Sequence, residues 1–177
     1  MRKPLARWLI MSTMLSLSTT LIASTEKSLE IKTVPGIHFF YGEYSLSNKN
    51  MHKQGDKIAE KTAYTIATKT PTVLSGPFTY IFENVESFDP STINAQIGWP
   101  VEKSIEGVGS YQFKEVKPLK SVSYIHEGAH TELPNKWKKL ITQAIAEGHK
   151  ITGEGRTLIR LSGANGDVVA ELQLGIQ

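Results

Sequence analysis

Apolar and polar positions change period along this chain, and each change marks an element. Leu29-Glu30-Ile31-Lys32-Thr33-Val34 alternates apolar and polar side chains until Pro35-Gly36 turns the chain. A period of two predicts a strand, and a second follows at residues 37–41. Ile58, Thr62 and Ile66 then recur at helical spacing with Ala59, Ala63 and Ala67 beside them. They predict an amphipathic helix that starts around Asn48 to Asn50 and runs to about Lys69, where Pro71 stops it. Ser75-Gly76-Pro77 predicts a turn, residues 78–82 a strand and residues 93–101 another, with Asp89-Pro90 in the loop between.

The second half repeats this order. Residues 113–116 and 122–126 are extended, with Pro118 between them. Leu133, Trp137, Leu140, Ile141, Ala144 and Ile145 fall at helical spacing, behind Thr131 as N-cap and ahead of Gly148 as C-cap. Thr152-Gly153 predicts a turn, and residues 157–161 and 168–176 the last two strands. Each half thus reads strand, helix, strand, strand. Gly76 and Gly153 stand half the mature length apart, as a duplication with repeats of about residues 25–105 and 106–177 requires.

The closing strands of the two repeats can be overlaid. Gln96-Ile97-Gly98-Trp99-Pro100-Val101 matches Glu171-Leu172-Gln173-Leu174-Gly175-Ile176 in the placing of its apolar residues. Side chains alternate across a strand, so Val168, Ala170, Leu172, Leu174 and Ile176 share the face that packs on the helix. Glu171 and Gln173 share the other, and Gln96 corresponds to Glu171. Two sheets meeting about a pseudo-twofold axis would leave a concave surface with Gln96 and Glu171 aimed at it. A carboxylate on a solvated sheet face is the plainer alternative.

The first two dozen residues read as an address. A cationic start from Met1 to Trp8, an apolar stretch over residues 9–22 and small residues at Ala23-Ser24 have the layout of a secretory signal peptide, residues 1–24. The apolar run falls short of the roughly 20 residues a spanning helix needs. A free periplasmic or secreted protein is expected, with one domain over residues 25–177 and no membrane contact after cleavage. Charge then changes the picture. Arg2, Lys3 and Arg7 belong to the leader, and the 17 other cations balance the chain's 17 acids. A neutral body has no electrostatic footprint for phosphate backbones, so no nucleic-acid partner is expected. With no cysteine, neither a lipid anchor nor a disulfide enters.

Ser123-Tyr124-Ile125-His126-Glu127-Gly128, the helix holding Leu133, Trp137 and Leu140, then Gly148, Gly153 and the strand opening on Glu171-Leu172 resemble the GyrI-like effector-binding domain. That domain also forms the ligand-binding half of certain multidrug-responsive transcription activators. The Gly76-Pro77-Phe78 turn and the Trp99-Pro100-Val101 strand end fit its first repeat. The resemblance covers nearly all of the mature chain. It implies an α+β fold of duplicated βαββ units, with two antiparallel sheets around a central cleft for apolar or cationic aromatic compounds. It also implies that Glu171 matches an acid at the head of the family's last strand. The chain departs from the pattern at His130, where an aromatic is usual, and at Gly175, where proline is common.

His126-Glu127-Gly128-Ala129-His130 spells the H-E-x-x-H of zinc peptidases. That chemistry needs a helix to set both histidines on one side, with a third ligand, for which Glu147, His149 and Glu154 are the candidates. The strand-like residues 121–125 before it and Gly128 within it speak against a helix. No cysteine nucleophile, G-x-S-x-G or phosphate loop occurs, no cofactor is expected, and Lys136, Lys138 and Lys139 read as the wet face of the second helix. Among the aromatics Tyr44, Tyr80, Trp99, Tyr111, Tyr124 and Trp137, core spacing claims Trp137. Tyr124 and Trp99 stand as candidates for the cleft beside Glu171 and Gln96. The leading expectation is a non-catalytic binder of a small aromatic or cationic molecule with Glu171 as counter-charge. A hydrolase with Glu171 as general base and Tyr124 as its acid or orienter is the second reading, and a zinc peptidase the third.

Overall fold

The computed structural model describes residues 29–47, 51–87 and 91–177. The expected leader, residues 1–24, and the expected helix start at Asn48 to Asn50 lie outside the described residues. Eight strands and two helices follow in order: β1 (Glu30–Val34), β2 (Ile37–Ser47), α1 (Met51–Lys69), β3 (Phe78–Phe82), β4 (Thr92–Val101), β5 (Gln112–Val116), β6 (Leu119–Ala129), α2 (Leu133–Ala146), β7 (Ile151–Ser162) and β8 (Asp167–Ile176). Among the described residues no helix is long and apolar enough to cross a membrane.

All eight strands join one antiparallel sheet in the order β1-β6-β8-β7-β3-β4-β2-β5. This corrects the expectation of two separate sheets. The strand–helix–strand–strand units pair internally in the same way, β2 with β4 and β6 with β8, and their second strands, β3 and β7, fuse them. β3 and β7 pair from Phe78 opposite Ile159 to Phe82 opposite Gly155, leaving no edge between the halves. The two units have a like register. Ile81 stands opposite Gln96 in one unit, and Leu158 opposite Glu171 in the other.

The connections bend this sheet. β1 and β2 lie first and seventh in the order, six strand spacings or about 29 Å apart in a flat sheet. Only Pro35 and Gly36 join them, a reach of about 10 Å. Lys117 and Pro118 make the same short step from β5, at the far edge, to β6. The sheet must therefore curl until its ends meet at these two links. They pack tightly, since a Cβ on Gly36 would lie 2.6 Å from the Val116 carbonyl oxygen. Two lobes around a hollow arise by folding one sheet over.

Both helices cover the convex face. Ile97, Leu172, Leu174, Ala170, Phe82 and Tyr80 from the strands close on Met51 of α1 and on Leu133, Trp137, Leu140 and Ala144 of α2. Each such large side chain taken from water stabilises the fold by about 1.5–3 kcal/mol. The Trp137 indole N–H donates to Thr157 Oγ1 at 2.9 Å, so burial of its ring leaves no orphan donor. α2 starts differently from the expectation. A 3-10 turn over His130–Glu132 leads in, and no side chain caps the helix, so Thr131 is not its N-cap. Its end follows the expected stop. Gly148, at φ +86°, lets its own N–H reach Ile145 O and that of His149 reach Ala144 O, both at 3.0 Å. Gly153, also at φ +86°, is a second correction: it makes an irregularity inside β7 rather than a turn before it.

Candidate functional site

On the concave face the alternation of β7 and β8 sets Arg156, Leu158 and Arg160 beside Glu171 and Gln173. A cleft of about 850 Å³ opens over them, walled by residues 33–38, by Ser75, Gly76 and Pro77, and by Pro100. Its apolar lining is aliphatic and includes Val34, Pro35, Ile37, Pro77, Pro100 and Leu158. Val116 of the cleft wall joins Phe39, Tyr41 and Ile81 in an apolar cluster on this face.

Glu171 is the charge centre of the cleft, with its side chain wholly inaccessible to water (0% exposed). Lys32 of β1 reaches across to Glu171 Oε1 at 2.6 Å. The Gln173 amide donates to the same oxygen at 2.8 Å. Arg160 donates to Oε2 through Nε at 3.2 Å and through a second guanidinium nitrogen. Burial alone would raise the carboxyl's pKa. Donation from Gln173, Lys32 and Arg160, with the charge of Lys32, outweighs it and holds the group down at about 2. The Arg160 side chain is nonetheless 51% exposed, against 29% for Lys32.

Arg156 closes the other end of the cleft. It is buried, holds Glu154 Oε1 at 2.8 Å, and donates to the Lys117 carbonyl at 2.8 Å. It thereby ties the β5–β6 link down on β7.

The four candidate residues do not come together. Glu171 lines the cleft, whereas Gln96 lies in a separate polar depression with Glu43 and Glu83, where its amide oxygen accepts from Lys114. Tyr124 and Trp99 stand on the helix side of the sheet. Tyr124 is opposite Leu172, one residue from Glu171 and hence on the other face. The Trp99 indole N–H donates to Ala59 O of α1 at 3.0 Å. Lys32, Arg160 and Arg156 escaped the sequence reading, which set Gln173 on the face of Glu171 without making it a site candidate. The alternation of β7 could have exposed its two arginines. Nothing local could have brought Lys32, which arrives from a strand two places away in the sheet.

His126-Glu127-Gly128-Ala129-His130 runs off the end of β6 into the 3-10 turn, not along a helix. Gly128 has φ +146°, and His126 Nε2 lies 3.1 Å from Ala129 O. Among the described residues no group of three or more His, Asp or Glu could hold a metal ion. His130 is buried beside His52, their rings 5.7 Å apart. Burial, with the charges of His52 and His126, lowers its pKa to about 4 despite Asp56.

No family model matches the chain, and no curated protein does. Solved structures match its fold. The C-terminal domain of EcmrR superposes with a TM-score of 0.72 at 12% identity, over 85% of this chain and 97% of that domain. EcmrR in its DNA complex gives 0.73 at 13% identity over the same 85%, and the chain spans 57% of that protein. SAV2435, bound to tetraphenylphosphonium, gives 0.59 at 8% identity, over 85% of this chain and 94% of that one. A hydrolase from Listeria innocua gives 0.55 at 12% identity, over 84% and 91%. The chain has the α+β fold of the GyrI-like effector-binding domain that its sequence resembles.

Proposed function

We propose that this protein binds small apolar or cationic aromatic molecules in the cleft between its lobes, with Glu171 as counter-charge. The observation that carries the proposal is an ionised, fully enclosed carboxylate in the wall of an 850 Å³ hollow with an aliphatic lining. A hollow of that size suits a drug-sized ligand, and a desolvated carboxylate attracts an organic cation more strongly than a wet one does. That SAV2435 binds a bulky organic cation on this fold supports the same reading. Tetraphenylphosphonium should bind the wild type. Glu171→Gln should weaken it far more than a neutral aromatic of equal size, as read by calorimetry. Equal losses for the two probes would overturn the charge role.

A hydrolase is the second reading, favoured by the similarity to the Listeria innocua hydrolase. It would need Glu171 as general base, and a carboxyl held at about 2 is far below the pH at which such a base works best. Residues 1–24 are proposed as a signal peptide, which puts the ligand outside the cytoplasm. N-terminal sequencing of the protein recovered from its native host checks this.

A further inference from the structure

The carboxylate that would meet a cationic ligand is already full. Lys32 and Gln173 occupy Oε1, and two nitrogens of Arg160 occupy Oε2. An entering cation cannot add to this set without dislodging a member. Gln173 is buried and its neighbour on β8, and Lys32 is fixed at its base by the register of β1 on β6, opposite Ser121. Arg160 differs. It sits where the β7–β8 register shifts, between Ile159 and Leu161, and its side chain is half in water. Its guanidinium, already half in water, needs the least further exposure to be solvated, whereas Lys32 is 29% exposed and Gln173 is buried.

We infer that Arg160 is the specificity-determining residue of the cleft: a tethered cation that occupies Glu171 in the empty protein and leaves when a ligand's own cation arrives. This rests on the binding reading above and adds a discriminating device to it. A neutral ligand cannot take over the charge that Arg160 gives up, so displacement by it would leave a buried carboxylate short of a partner. A bulky or delocalised cation replaces the charge but not the arginine's two donors, so it gains less from the exchange than a compact cation and more than a neutral ligand. The ligand favoured is a compact cationic head, a guanidinium, amidinium or ammonium, on an apolar body that rests on Pro35, Pro77 and Pro100.

The test uses the full mature chain, with benzamidine as the compact cationic probe, tetraphenylphosphonium as the delocalised one and benzamide as the neutral control. Arg160→Gln should bind benzamidine about tenfold more tightly than wild type, the gain expected if the arginine occupies the acid about nine-tenths of the time. Benzamide binding should stay level. In the wild type, the Nε–H resonance of Arg160 should shift toward that of a solvated arginine as benzamidine is added. Methylguanidinium should compete with benzamidine in Arg160→Gln by filling the vacated place. If Arg160→Gln binds benzamidine no better, or the Nε–H signal stays put at saturation, the displacement idea fails while the binding reading stands. If neither cation binds wild type or variant although both are folded by their melting curves, both ideas fall.

Discussion

Two buried ionisable side chains define the residue scale, and both make the protein sensitive to acid. The folded pKa of His130 lies at about 4, below its ordinary value, so the unfolded chain takes up a proton first. Its contribution is fully present above about pH 6.5 and is lost as pH falls from there to about 4. The Glu171 carboxyl is also depressed, to about 2, so its contribution is present above about pH 4.5 and fades as pH falls toward 2. A melting-temperature series should therefore decline in two stages. His130→Gln should flatten the stage between about pH 6.5 and 4 and leave the lower one, and an unchanged upper stage would remove His130 from the account. The alternation of β8 made Glu171 a candidate before any coordinates. His130 was singled out as half of a metal motif and as a departure from the family pattern, and neither revealed its burial against His52, which depends on where α1 docks.

At the scale of the element, local pattern and observed structure agree wherever side chains follow one period. β3 spans residues 78–82 as expected, β4 and β8 each begin one residue early, and α1 ends at Lys69. Disagreement gathers where a distant partner decides. β6 continues through Glu127 and Gly128 to Ala129 because β8 offers a partner up to Asp167. β7 starts at Ile151, ahead of Gly153, because Ile176 pairs there. Glycine also serves close approach. A Cβ on Gly98 would lie 2.0 Å from Phe40 O and 2.7 Å from Tyr41 Cα, atoms of the neighbouring strand's backbone. Gly98→Ala should then cost about 1–3 kcal/mol through forced separation of β2 and β4. A lowered urea midpoint with an unchanged slope would report it, and an unaltered midpoint would refute the contact.

For the whole molecule, stability and site share one device, the curl that brings the end of β1 to the start of β2 and the end of β5 to the start of β6. Arg156 holds this closure from inside, joining Glu154 and the Lys117 carbonyl. Arg156→Met should cost about 3 kcal/mol, the low end for breaking a buried ion pair, since Glu154 is part-exposed and can rehydrate. Amides near residues 34–37 and 116–119 should exchange faster, while those of β3 and β7 keep their protection. Uniform exchange throughout would show that the tie is not local. Through the same curl, the cleft's size depends on links far from Glu171.

The sequence by itself determined the strand and helix order, the division of each strand into a helix-facing and an open face, and hence the side on which Glu171 stands. These follow from periods of 2 and 3.6, which are local. Only the tertiary structure decided that the two units fuse through β3 and β7 into one curled sheet. It also decided that Gln96 and Glu171 occupy different hollows, that Tyr124 and Trp99 face the helices, and that Lys32 and Arg160 meet on one carboxylate. Strand neighbours are chosen by pairing across long separations, and no period along the chain records which edge a strand will find.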